Sequence, residues 1–256
     1  MSQQEKHQLW EKELNADYLP HISVDCVIFG FHNQELKVLI QRWKNTTEWS
    51  LPGGRIFSDE TLEVAAKRVL TKRTGLEDIF LKQFHVFSEP NRVQPQRLIK
   101  TLAKQGIRLE ETHLFATRTL TIGFVALVEY SKTSPQTNFL IAENRWWDLA
   151  KLPDLLFDHN KIIETALALL RRQVAYVPVG LNLLPEIFTL PQLQKLYEAI
   201  LGEEFDRRNF QRKVLQSGII TVAGDKKSAC ASRTPIRYQF DKVKYFEALK
   251  IGILYY

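Results

Sequence analysis

The stretch GGRIFSDETLEVAAKRVLTKRTGL, residues 53–76, gathers residue types that could do chemistry. Glu60 and Arg68 stand ahead of Val69, Lys72 and Arg73, three positions that share one face of a helix. Carboxylates at those three positions would hold divalent cations able to polarise a substrate and activate water. The residues present cannot do so. A single lysine about 4 Å from a divalent ion costs roughly 8 kcal/mol at an effective dielectric near 20, and here two basic side chains share the face.

A second concentration lies at DRRNFQRK, residues 206–213. At helical spacing Phe210 and Val214 fall on one side, while Arg207, Arg208, Gln211 and Arg212 fall on the other. Arginine and glutamine make two-pronged contacts to guanine and adenine edges, so a basic face near a helix N-terminus suits the major groove of DNA. Lys226, Lys227 and Arg233 then fall in the polar connection GDKKSACASR between IITV and RYQF, where a hairpin tip would meet phosphates.

The elements that must position these residues are partly legible. Residues 21–31 and 35–42 read as two strands joined at His32, Asn33 and Gln34. Leu62, Ala65, Ala66, Val69 and Leu70 predict an amphipathic helix from about Asp59 to Arg73, with Asp59 and Glu60 in its first turn and Gly75 as its stop. Strands are expected near 80–88, at 118–130 and at RWWDL, followed by a helix over 160–172. Residues 174–180, VAYVPVG, interrupt the periodicity as a linker. Beyond it, Thr189 and Gln192 form a capping box for LPQLQKLYEAIL, which Gly202 ends, and Asp206 caps the basic helix, which Gly218 ends. Helix, helix and hairpin within one short segment outline a winged helix.

Bulk properties agree with this division. The formal net charge is +6. Residues 1–170 carry 21 basic and 21 acidic side chains, whereas residues 171–256 carry 14 and 8, so the excess lies in the last third and points to an acidic partner there. The apolar runs fall short of the ~20 residues needed to span a bilayer, which predicts no membrane partner. The polar N-terminus without a secretory pattern predicts a cytoplasmic location. Of the two cysteines, Cys26 in VDCVIFGF is expected as a buried thiol and Cys230 as a loop thiol, with no disulfide.

Residues 54–76 resemble a Nudix box, G-x5-E-x7-R-E-U-x-E-E-x-G-U, in which U is aliphatic. Gly54, Glu60, Arg68, Leu70, Gly75 and Leu76 match, and the three remaining glutamates fall on Val69, Lys72 and Arg73. With LLPEIFTL, LQKLYEAI, RRNFQRKV and RYQFD downstream, the chain is similar to the Nudix-related transcriptional regulators. The resemblance implies an α/β (α+β) chain. Residues 1–20 are an N-terminal arm, 21–173 a Nudix-like α/β/α sandwich that senses a ligand, 174–180 the linker, and 181–256 a winged helix-turn-helix domain. It implies a homodimeric repressor that binds a palindromic operator in double-stranded DNA through Arg207, Arg208, Asn209, Gln211, Arg212 and Lys213. An effector such as ADP-ribose or a sugar like arabinose releases the DNA, and Arg42, Arg55 and Arg92 are the candidate ligand residues. No catalytic residue, metal or cofactor is expected. The alternative is a magnesium-dependent hydrolase of a nucleoside diphosphate derivative using Glu63 or Glu89, and an RNA-binding module is weaker because no aromatic cluster accompanies the basic residues. Residues 93–116 exceed the short connection expected there. Their Leu98, Ile99 and Leu102 fit a short helix over the cleft or against a partner, and a plain surface excursion is the alternative.

Overall fold

The computed structural model describes residues 17–76, 81–113, 115–134, 136–174, 178–224 and 235–251. Strands β1 (Tyr18–His32) and β2 (Glu35–Trp43) form the expected hairpin, and Tyr18–Pro20, assigned to the arm on sequence, already belong to β1. Asn33 and Gln34 turn the chain with φ of 50° and 63°, the left-handed geometry whose twist matches paired strands. Residues 24–30 of β1 are buried without alternation, as an unbroken apolar run predicts for a strand covered on both faces.

A sheet of seven strands follows, in the order β3 (Trp49–Ser50), β2, β1, β6 (Leu120–Val128) and β5 (Leu81–Phe87), with β4 (Gly53–Phe57) paired to β1 and β7 (Ile141–Asp148) paired to β2. GGRIF is too short to show a period, and it becomes β4 because β1 offers it an antiparallel edge, Asp25 opposite Gly53. Only glycine fits at 53. A Cβ there would lie 2.1 Å from Asp25 Oδ1.

Helix α1 (Leu62–Thr74) begins three residues later than periodicity suggests. Thr61 is its N-cap, accepting the Val64 N–H, and Gly75 closes it at φ 74°. Ala65, Ala66, Val69 and Leu70 are buried. Beneath the helix Cys26 Sγ faces the Ala66 carbonyl at 3.9 Å, and burial pushes its thiol pKa up. Cys230 lies outside the described residues.

Residues 93–116 contain helix α2 (Pro95–Ala103). Its Leu98 and Leu102 join Ile107, Leu109 and Ala116 in a small core of their own, against which Trp43, Ile99, Phe115, Leu140 and Phe157 pack. Arg97 fastens the helix through Glu48 at 2.6 Å and Asp154 at 2.8 Å.

Helix α3 (His159–Val174) leads to residues 175–177, outside the described set, and then to a 3-10 turn at Gly180–Asn182. Helix α4 (Leu190–Leu201) carries the complete Thr189–Gln192 capping box and ends at Gly202, φ 78°. Glu198 Oε1 accepts from Gln194 and from the Phe205 N–H, fixing the turn into α5 (Arg207–Ser217). Strands β8 (Ile220–Val222) and β9 (Tyr238–Phe240) pair antiparallel. A final helix, α6 (Lys242–Ile251), has no clean apolar stripe to announce it, since Tyr245 and Ala248 are buried while Val243 and Phe246 are exposed.

The chain divides into two compact units, one of residues 1–29, 38–126 and 132–166, the other of residues 30–37, 127–131 and 167–256. Among the described residues no helix is long and apolar enough to cross a membrane.

Candidate effector cleft and nucleic-acid interface

The first compact unit holds a cleft of about 180 Å³ whose floor comes from β1, β2, β4 and the start of α3, and whose roof comes from α2 and its flanks. Asp25 is the centre of the floor. It is buried in β1 and accepts from Thr121 at 2.9 Å, with Arg92 at 3.7 Å and His159 Nε2 at 3.6 Å. Burial pushes its carboxyl pKa up, but His159, Arg92 and Thr121 outweigh that and hold it below the usual range. His159 Nδ1 accepts the Leu51 N–H at 2.8 Å, which leaves the ring hydrogen on Nε2, facing Asp25. Phe157 lies against that ring, 5.0 Å between centroids, with a left-handed φ of 62°. For a bulky residue this is a strained backbone, of the kind that collects at binding sites.

The three arginines singled out on sequence separate in the structure. Arg55 and Arg92 line the cleft. Arg55 is buried in β4 with its guanidinium 4.9 Å from the Phe115 ring centre, and burial pushes its pKa down. Arg92 is committed elsewhere: it grips Asp158 with two bonds, of 2.7 and 3.2 Å, and gives a third to the Thr119 carbonyl. Arg42 does not reach the cleft. Side chains alternate along a strand; Gln41 and Trp43 of β2 face the cleft, so Arg42 turns away and pairs with Glu143 at 3.0 Å. Arg42, expected at the ligand, is not among the residues that line this cleft. Asp25, Gln41 and His159 went unnoticed in the sequence, although a lone carboxylate within VDCVIFGF and a histidine closing LLFDH were there to be questioned.

Helix α1 keeps the framework of its motif. Glu60 accepts two bonds from Arg68, of 2.6 and 2.7 Å, and one from the Phe57 N–H, so it braces the loop ahead of the helix. Arg68 is the main cause of the lowered Glu60 pKa, with Phe57 and Lys72 adding to it against some desolvation. Val69 is buried, close enough that a Cβ on Gly54 would sit 3.0 Å from its Cγ2. Lys72 is exposed, as are Glu63 on α1 and Glu89, which lies 3.5 Å from Lys161. Among the described residues no three His, Cys, Asp or Glu side chains are placed to hold a metal ion. The face of α1 that carries Val69, Lys72 and Arg73 does not fit a magnesium ion.

In the second unit Asp206 caps α5, accepting the Asn209 N–H at 2.8 Å. Val214 is buried and Phe210 packs on Tyr197 and Phe205, with ring centres 5.6 and 5.8 Å apart. This anchoring turns Arg207, Arg208, Asn209, Arg212 and Lys213 to the surface, while Gln211 is half-buried. Arg212 donates to Asn209 Oδ1 at 3.1 Å. Lys226, Lys227 and Arg233 lie outside the described residues.

A cleft-bearing sheet with a braced, carboxylate-poor helix, followed by two capped helices and a hairpin, defines a Nudix fold joined to a winged helix. A family model for the NUDIX domain matches residues 19–169, and one for the NrtR DNA-binding winged helix domain matches residues 180–240. The chain belongs to the NUDIX domain family. It is 27% identical over 223 residues to the ADPR responsive transcriptional repressor NtrR of Acinetobacter baylyi, covering 84% of this chain and 80% of that protein. The crystal structure of Shewanella oneidensis NrtR superposes with a TM-score of 0.66 at 29% identity, covering 88% of this chain and 95% of that one. The same protein complexed with a 27mer DNA gives 0.65 at 27% identity, with coverage of 88% and 95%. A MutT/nudix family protein from Enterococcus faecalis shares the fold at 20% identity, with a TM-score of 0.63 and 94% of each chain covered.

Proposed function

We propose that this protein is an effector-controlled transcriptional repressor in which a Nudix domain without hydrolytic activity binds ADP-ribose and a winged helix binds an operator. The observation that carries the reading is the state of α1: the Glu60–Arg68 brace is intact, while Val69, Lys72 and Arg73 stand where an ion site needs carboxylates. A fold kept in shape after its metal positions have turned basic suits binding without cleavage. The name of the Acinetobacter relative, an ADPR responsive repressor, supports the choice of effector, and the DNA complex of the Shewanella relative supports the partner.

On this reading Arg207, Arg208, Asn209, Gln211, Arg212 and Lys213 enter the major groove, with arginine and glutamine reading base edges and the others positioning. Lys226, Lys227 and Arg233 contact phosphates from the hairpin tip. Two chains form a homodimer on a palindromic site, and Arg55 and the Asp25 floor face the effector.

The test is fluorescence anisotropy with labelled duplexes tiling the DNA beside the protein's own gene, with ADP-ribose and L-arabinose added in turn. One duplex bound tightly and released by ADP-ribose is the expected result, accompanied by no magnesium-dependent phosphate release. No preference over random DNA, or turnover of ADP-ribose, would overturn the proposal.

A further inference from the structure

Among the polar side chains of the cleft floor, Gln41 holds a buried acceptor. Gln41 is 5% exposed, and its Nε2 donates to Ser50 Oγ at 3.2 Å and to the Leu51 carbonyl at 3.1 Å. The carbonyl can only accept, which fixes the orientation of the amide. Gln41 Oε1 is thereby left buried, with no hydrogen-bond partner among the described residues. An orphan buried acceptor carries a desolvation penalty unless a donor arrives. Gln41 is also one of the residues that line the cleft.

The surroundings of this acceptor limit what can bring the donor. Trp43, two residues on, donates its Nε1 hydrogen to the same Ser50 hydroxyl at 2.9 Å and packs against the cluster that contains Leu98 and Leu102. The acceptor therefore sits where the polar floor meets the apolar roof of α2. A sugar ring carries hydroxyls around its whole rim, and that roof would leave several of them unpaired. A flat heteroaromatic ring has apolar faces and polar edges, which matches one acceptor below leucine walls.

We propose that the roofed end of the cleft is a subsite for a heteroaromatic base, and that Gln41 Oε1 selects a base with an N–H donor at its edge. The inference rests on the ADP-ribose reading and assigns its adenine, through the exocyclic amine, to Gln41, with α2 closing over the ring. Gln41 then determines specificity.

The experiment is titration calorimetry of the full chain with ADP-ribose and with its unsubstituted purine counterpart, in which a hydrogen replaces the amine and the edge carries no N–H. Wild type should favour ADP-ribose at least about tenfold, because the analogue leaves the buried Gln41 acceptor unpaired. In Gln41→Leu and Gln41→Met that ratio should fall towards one. The wild-type comparison stands even if neither variant folds. ADP-ribose binding without discrimination between the two bases overturns the role of Gln41 and leaves the repressor reading intact. Binding of neither compound, with release of DNA by L-arabinose, overturns the effector reading and this inference together.

Discussion

Arg92 balances charge inside the fold: its guanidinium lies between Asp158 and Asp25, 3% exposed. Removing one member of a buried charge pair strands the others, so Arg92→Ala should cost about 3–5 kcal/mol, measured as a shift in urea midpoint. An unchanged midpoint would mean that water replaces the arginine freely. Asp25 gives a matching expectation with acid. Its folded pKa lies below its unfolded value near ~4, so its stabilisation is present above pH ~4 and lost as pH falls through the lower folded value. Asp25→Asn should flatten that acid limb of a stability–pH curve. These residues show why a site hides in a sequence. Asp25, Arg92 and Asp158 are separated by long stretches of chain, and nothing local in VDCVIFGF says which cation will reach its carboxylate. Arg42 shows the opposite lesson: strand alternation with Gln41 was legible, and it was enough to turn the side chain away from the cleft.

Among the elements, α1 holds the Glu60–Arg68 brace and carries Val69, Lys72 and Arg73 along one face. Glu60→Gln should lower stability by about 2 kcal/mol, because the charged bonds to Arg68 weaken while the cap at Thr61 remains. Thermal denaturation reads the loss, and a phosphate-release assay should show no activity to lose. Helix ends were the most legible features of the chain, since Gly75, Gly202 and Gly218 all adopt left-handed conformations that glycine tolerates and that local sequence signals. Starts were less so. Asp59 and Glu60 looked like a first turn, yet Glu60 is drawn back to Arg68 and Phe57, leaving Thr61 to cap. The short strand β4 and the two-sided helix α6 had no period to read, so pairing with β1 in one case and burial of Tyr245 in the other decided them.

For the whole molecule, the proposed homodimer should need two half-sites about 34–36 Å apart, or a multiple of that spacing. Inserting about half a helical turn of DNA between them should abolish tight binding, and inserting a full turn should restore part of it. Binding that ignores both insertions would mean that one winged helix acts alone. A feature on the face of β1 turned away from the cleft offers a way to watch the molecule breathe. Cys26 lies sealed between β1 and α1, and the only other thiol in the sequence is Cys230. With Cys230→Ser in place, a thiol reagent can reach sulfur only when α1 lifts from the sheet. Its labelling rate then counts openings of the Nudix core. Slower labelling with effector present would report the binding energy at an atom the effector never touches.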